Sequence, residues 1–292
     1  MGKKYNRGVS SPLPTKDIER GERIAKRLAR AGLCSRRDAE RWIADGRVKV
    51  DGRIIDTPAV LVTAASDIEV DGHALPAIGR ARLWRYHKPP GLIVSARDPQ
   101  GRPTVFDALP GDMPRVVAVG RLDLNSEGLL LLTNDGALAR ELELPANGWM
   151  RRYRVRAHGR LEQPALDRLA DGLTIEGVRY GPIVAKIERI QKSNLWLAVT
   201  LTEGKNREVR KVLAHLGLEV NRLIRVGFGP FVLGDLAEGK VAELPHQQLM
   251  QALSRTESES AQQARGWRKP GWARPRPRNK TRPARQRRQE PA

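Results

Sequence analysis

The sequence predicts an α+β protein with a small helix-and-hairpin unit at its N-terminal side. A larger domain follows, whose largely antiparallel sheet is flanked by helices, and a disordered basic tail ends the chain. Three observations predict this. Between residues 81 and 250, short strand-like apolar runs recur, separated by turn residues and by runs with helical spacing. Before them, two Asp-Gly pairs sit between alternating apolar residues and mark hairpins. From residue 251 the apolar pattern stops, and cations and prolines take over.

Residues 1–20 are polar and punctuated by Gly, Ser and Pro, as expected of a flexible arm. Residues 21–80 form the small unit. Ile24, Leu28 and Ala31 lie at helical spacing until Gly32 stops the helix. Ser35-Arg36-Arg37-Asp38 reads as a capping box with Asp in place of Glu, opening a helix that turns Ala39, Trp42 and Ile43 to one side and ends at Gly46. Val48 to Ile55 is a hairpin around Asp51-Gly52, and Asp71-Gly72 follows Ile68-Glu69-Val70 as a second turn.

In the domain spanning 81–250, strands are expected at 83–86, 116–119, 129–132, 153–157 and 195–201. Helices are expected at 137–144, 164–171 and 206–216. Asn134-Asp135-Gly136 reads as a tight turn between adjacent strands, which favours an antiparallel sheet with helices on one face. The tail, 251–292, holds eleven Lys/Arg and no Asp/Glu between Arg265 and Arg288, with Trp267 and Trp272 among them. It cannot bury a core, but its mixture of cations and indoles suits weak contact with RNA.

The charge narrows the partners. Lys and Arg number 53 against 33 Asp and Glu, a net charge of +20 over 292 residues. Such an excess attracts a polyanion and speeds association. No apolar run approaches the ~18 residues that span a bilayer, and no secretory pattern follows Met1-Gly2-Lys3-Lys4, so a cytoplasmic protein is expected. The single cysteine, Cys34, excludes an internal disulfide and a cysteine-rich zinc site. His73, His87, His158, His215 and His246 have no metal-ligand spacing, and no metal is expected.

Chemistry concentrates in three segments. Gly120-Arg121-Leu122-Asp123-Leu124-Asn125-Ser126-Glu127 is a polar loop held between two apolar strands, able to fix the Asp123 carboxylate. Alone it would read as an ordinary turn. Tyr153 begins the alternating strand of Arg151-Arg152-Tyr153-Arg154-Val155. Its ring fits a core or, at a site mouth, a stack on a base. In Thr202-Glu203-Gly204-Lys205-Asn206-Arg207-Glu208-Val209-Arg210, a strand gives way to a helix. Val209, Val212, Leu213 and Leu216 form its buried stripe, Arg207 and Lys211 lie opposite, and Arg210 lies at the margin, positioned to turn inward. A solvated basic face is the bland alternative.

Two resemblances follow. The run from Arg23 through Lys26, Arg27 and Arg30 to Ser35-Arg36-Arg37-Asp38, continued by Gly46-Arg47-Val48-Lys49-Val50-Asp51-Gly52, resembles the S-four-type RNA-binding domain over about 21–70. The resemblance implies RNA contact by Arg23, Lys26, Arg27, Arg36 and Arg37, without implying chemistry. The three segments of the larger domain, with Lys88-Pro89-Pro90-Gly91, the stretch from Asp98 to Asp107 and Asn221-Arg222-Leu223-Ile224-Arg225-Val226, resemble the RsuA-type pseudouridine synthases over nearly all of 21–245. Arg151 stands where many relatives carry Lys.

The second resemblance implies isomerisation of uridine to pseudouridine in ribosomal RNA, with no cofactor or metal. Asp123 would be the catalytic carboxylate, kept ionised by pairing with Arg210. Tyr153 would stack on the flipped base, while Arg121, Lys205 and Arg207 would contact RNA. The motifs at 101–107 and 201–210 point to large-subunit rRNA as the partner, and a monomer is expected because the RNA supplies the large binding surface. A small-subunit rRNA enzyme, a non-catalytic RNA-binding or assembly protein, and a membrane-surface role are the alternatives.

Overall fold

The structure is a computed structural model that describes residues 21–254. The arm expected over 1–20 and most of the expected tail lie outside the described residues. The first core gathers around two helices. β1 (Glu22–Arg23) runs into α1 (Ile24–Arg30), and α2 (Arg36–Ala44) follows. The Ser35 hydroxyl accepts from the Asp38 N–H at 3.0 Å and the Asp38 carboxylate accepts from the Ser35 N–H at 3.2 Å, the reciprocal box expected from the sequence.

β2 (Val48–Val50) and β3 (Arg53–Ile54) pair around Asp51-Gly52, where both residues have positive φ (49° and 76°) as a tight hairpin turn requires. β4 (Leu61–Val62) pairs with β1, while β5 (Ile68–Val70) joins β2 and turns at Asp71-Gly72 into β6 (His73–Ala74). Ile24, Leu28, Ala39, Ile43, Val48 and Ile68 fill the core between helices and strands.

The larger part is one nine-stranded sheet. In chain order its strands are β7 (Leu83–Lys88), β8 (Val117–Val119), β9 (Glu127–Thr133) and β10 (Arg151–His158). After a separate hairpin of β11 (Leu173–Ile175) and β12 (Val178–Tyr180) come β13 (Ile183–Gln191), β14 (Asn194–Leu201), β15 (Glu219–Phe228), β16 (Phe231–Val232) and β17 (Val241–Glu243). The order across the sheet is β13-β14-β10-β15-β9-β7-β17, with β8 on β9 and β16 on β15. Every pairing is antiparallel except β15 with β9. The expected largely antiparallel sheet is therefore present, with one parallel seam at its centre.

That seam positions the site. Leu129, Leu130, Leu131 and Leu132 of β9 are all within 1% of full burial, because both faces of this strand are covered. Leu129 and Leu131 meet α3 (Gly136–Glu143) and the helix at 246–254. Leu130 and Leu132 meet Trp84, Tyr86 and Val105 on the other face. Farther along the sheet, α4 (Gln163–Asp167) and α5 (Glu208–His215) cover β10 and β14. Truncating any of the four leucines to Ala would cost about 2–5 kcal/mol.

Three expectations are corrected. Helices lie on both faces of the sheet: α3 and the helix at 246–254 pack on the side that carries Leu129, Leu131 and Ile224, and α4 and α5 on the side that carries Val155 and Leu223. Asn134-Asp135-Gly136 does not join two strands. Asp135 caps α3, its carboxylate accepting from the N–H groups of Ala137 (2.6 Å) and Leu138 (3.2 Å). The helix at 246–254 carries four residues into the stretch expected as tail, because Leu249, Ala252 and Leu253 bury into the core beside α3. No helix among the described residues is long and apolar enough to cross a membrane.

Candidate active site

The loop between β8 and β9 is tied down by its backbone. Gly120, at φ 67°, turns the chain out of β8 and donates its N–H to a Glu143 carboxylate oxygen at 2.6 Å. Leu122 anchors the loop in the core. The next four carbonyls are each engaged. The Asp123 carbonyl accepts from the Ser126 N–H at 3.0 Å and the Leu124 carbonyl from the Gly91 N–H at 2.8 Å. Arg210 donates to the Asn125 carbonyl at 2.8 Å, and Lys88 Nζ donates to the Ser126 carbonyl at 2.8 Å.

Lys88 is fully buried, and its ammonium also donates to the carbonyls of Pro89 (2.8 Å) and Leu124 (3.3 Å). Burial pushes its pKa down to about 8, against the opposing pull of the Asp123 and Glu127 charges. Glu127, also buried, is ion-paired with Arg222 of β15. Charge-assisted hydrogen bonds of this kind contribute about 1.5–3 kcal/mol each, so the loop has little freedom to move.

Amid this, the half-buried carboxylate of Asp123 has no hydrogen-bond partner among the described residues. It lines a cleft of about 400 Å³ shared with Arg121, Tyr153, Lys205, Arg207 and Arg225. The chain thus brings together all the predicted site residues of the larger domain except Arg210, which lies behind the loop. Arg210 was expected to pair with the Asp123 carboxylate. Its guanidinium instead bridges the carbonyls of Asn125 and Val220, both at 2.8 Å, and reaches Asp123 through its charge alone. The physical reason is reach: from the margin of the helix stripe, Arg210 meets the back of the loop, where carbonyls point, rather than the cleft. Burial is the main influence lowering its pKa, followed by repulsion from Arg207.

Tyr153 is half-buried on β10, packed against the cores on both sides of it. Lys205 is ion-paired with Glu203 and stands 5.9 Å from the Tyr180 ring centroid, so it reaches the cleft already partnered. Arg207 caps the start of α5 in the left-handed region (φ 51°, ψ 31°), a conformation costly for a residue with a Cβ, and its side chain is exposed. Arg121 is exposed at the rim.

In the N-terminal unit, the expected RNA-contacting cations divide. Arg23, Arg36 and Arg37 are exposed. Lys26 and Arg27 turn toward the buried carboxylate of Glu22, at 3.6 and 3.5 Å, and Arg30 joins them at 3.0 Å. Helical spacing from Glu22 to Lys26 signals part of this cluster in the sequence.

Three cleft-region residues had no role assigned from sequence. Lys88 and Arg225 were visible only as parts of matching motifs, since a lysine or arginine within an apolar strand reads as solvent-facing. Glu208 is 3% exposed, accepts from the Lys205 N–H at 2.8 Å with one oxygen, and leaves the other without a partner in the protein. Burial raises its pKa.

A rigid loop presenting an unengaged carboxylate into a cationic cleft defines an enzyme that acts on a polyanion. Comparison with known proteins gives the particular family. Residues 82–215 match the RNA pseudouridylate synthase family model, and residues 22–68 match the S4 domain. An RNA pseudouridine synthase of Rickettsia felis is 48% identical over 223 residues, covering 76% of this chain and 96% of the relative.

The ribosomal large subunit pseudouridine synthase B of Yersinia pestis is 44% identical, covering 72% of this chain and 68% of its own length. The Pseudomonas aeruginosa protein of that name is 41% identical, covering 78% and 61%. A crystal structure of a pseudouridylate synthase superposes with a TM-score of 0.55 at 26% identity, covering 79% of this chain and 99% of that one. The chain belongs to the RNA pseudouridine synthase family.

Proposed function

We propose that this enzyme converts a uridine of large-subunit ribosomal RNA into pseudouridine, with Asp123 as its catalytic carboxylate. The observation that carries the reading is the unengaged Asp123 carboxylate, in a cleft of about 400 Å³, on a loop whose carbonyls from Asp123 to Ser126 are each engaged. The relatives named for the large ribosomal subunit support the choice of substrate.

The reaction breaks the ribose C1′–N1 bond, turns the uracil, and joins C1′ to C5; the C5 proton leaves and N1 gains one. Atoms and electrons balance without a redox partner. Asp123 acts as a carboxylate, either bonding to C1′ or removing the 2′ proton. The target base leaves its stack at a cost of a few kcal/mol, offset by stacking on Tyr153. Arg121, Lys205 and Arg207 hold flanking phosphates, which position the strand without reading its sequence. Residues 21–80, through Arg23, Arg36 and Arg37, add an RNA-holding surface to the catalytic domain of 81–250. Arg210 is a positioning residue for the loop.

Mapping pseudouridines in ribosomal RNA from cells with and without the gene tests this. One large-subunit site is expected to disappear on deletion and return with the wild-type gene. Loss of a small-subunit site alone, or no loss in either subunit, would overturn the assignment.

A further inference from the structure

Arg225 is 3% exposed on β15, yet no carboxylate among the described residues pairs with it. Its Nε donates to the Leu129 carbonyl at 2.8 Å, and its guanidinium lies 5.5 Å from the Phe228 ring centroid. Burying a guanidinium without a counter-ion costs several kcal/mol, and burial accordingly pushes its pKa below the ordinary range. Such a cost retained beside a cleft points to use in that cleft.

The backbone explains the placement. The β10–β15 register shifts between Arg152, opposite Gly227, and Tyr153, opposite Arg225. This bulge skips Val226 and makes Tyr153 and Arg225 direct cross-strand partners. On its other side, Arg225 meets the strand that leaves the Asp123 loop. Gly128 pairs with it at φ 101°, and a Cβ there would stand 2.4 Å from the Arg225 carbonyl oxygen. The arginine is thus fixed between the strand of Tyr153 and the strand of Asp123, and all three side chains line the same cleft. Across that pairing the Tyr153 phenol lies close enough to the guanidinium to favour its charged form, which partly offsets the burial.

We propose that Arg225 is a positioning residue for the isomerisation, which holds the Tyr153 phenol over the flipped base and strengthens its hydroxyl as a donor to the departing uracil. This rests on the reading of the cleft as the uridine site. When the C1′–N1 bond breaks, its electron pair stays on the uracil, spread over N1 and the two carbonyl oxygens. A phenol held beside a cation is a better donor to that anion, because the positive charge polarises its O–H bond. The pair then returns from C5 to form the C1′–C5 bond, and the anionic interaction ends.

A double-mutant cycle on transcribed large-subunit rRNA tests the proposal. Single-turnover pseudouridine formation and RNA Kd are measured for the wild type, Tyr153→Phe, Arg225→Met and the double variant. Arg225→Met is expected to slow the saturated single-turnover rate about 100-fold, the size seen when a transition-state donor is lost, with Kd changed less than about threefold. In the Tyr153→Phe background the same change is expected to cost less than about threefold more.

Additive costs, or a loss confined to Kd, would overturn the proposal. If Arg225→Met does not fold, Arg225→Lys serves instead: it keeps the charge but cannot both bond Leu129 and sit against Tyr153, and the same non-additivity with Tyr153→Phe is expected. An inactive wild type in the same assay would instead overturn the reading of the cleft.

Discussion

Two clusters of cations in this chain handle a carboxylate in opposite ways. In the N-terminal unit, Lys26, Arg27 and Arg30 converge on Glu22, whose charge is fully engaged. Around the cleft, Lys88, Arg210 and Arg225 donate instead to backbone carbonyls, and the Asp123 carboxylate between them is left without a hydrogen bond. A carboxylate surrounded by cations that bond to it is structural. One surrounded by cations that bond to the backbone around it is held still and open to a substrate. The difference lies in what the cations touch, not in how many there are.

The sharpest way to break this comparison is to remove the deepest of the loop's cations. Lys88→Met would leave the Ser126 and Pro89 carbonyls without their donor and take a charge from behind Asp123. Single-turnover activity is expected to fall at least about 100-fold, with RNA affinity nearly unchanged, because the phosphate-facing cations are untouched. Near-wild-type turnover would mean the loop is held by its other bonds alone.

A smaller effect separates the clusters by stability. Lys26, Arg27 and Arg30 lose their counter-ion in Glu22→Gln, and breaking a buried pair of this kind costs up to about 3–5 kcal/mol. Because all three cations are partly exposed, the expected loss is nearer 2 kcal/mol. The rate of isomerisation on saturating RNA is expected to stay within about threefold. A large fall in that rate would show that Glu22 serves the cleft.

An effect of similar size is one of pH. The folded pKa of Lys88 is depressed to about 8, while in the unfolded chain it returns to its ordinary value near 10.5. The unfolded state therefore binds more protons between those values. Stability from this group is complete above about 10.5 and is lost as pH falls through about 8. Comparing denaturant midpoints of the wild type and Lys88→Met at pH 7.5 and 9.5 should show the wild type gaining about 2 kcal/mol relative to the variant at the higher pH. A gap that shrinks would contradict the burial of a charged ammonium there.

Much of this was legible in the sequence, and the exceptions share a cause. Asp-Gly hairpins, the Ser35 box and the apolar strands are local signals, and they appear where expected. Asp123, Tyr153 and the cations of 205–207 share one cleft, as their motifs implied. Arg210 could be placed at the margin of its helix stripe, but its partner could not, since the Asn125 carbonyl lies 85 positions away in the chain.

Arg225 was hidden for the same reason. Its burial depends on the parallel seam with β9, a pairing between distant segments that no local period encodes. Asp135 misled because an Asn-Asp-Gly run suits a helix cap as well as a turn.

The central claim is that the free carboxylate of Asp123 does the chemistry while the cations around its loop hold it in place. Asp123→Asn keeps the size of the side chain and disturbs no hydrogen bond of the loop. In single-turnover assays on large-subunit rRNA it should form no detectable pseudouridine while binding RNA within about threefold of the wild type. Measurable isomerisation by this variant would contradict the account.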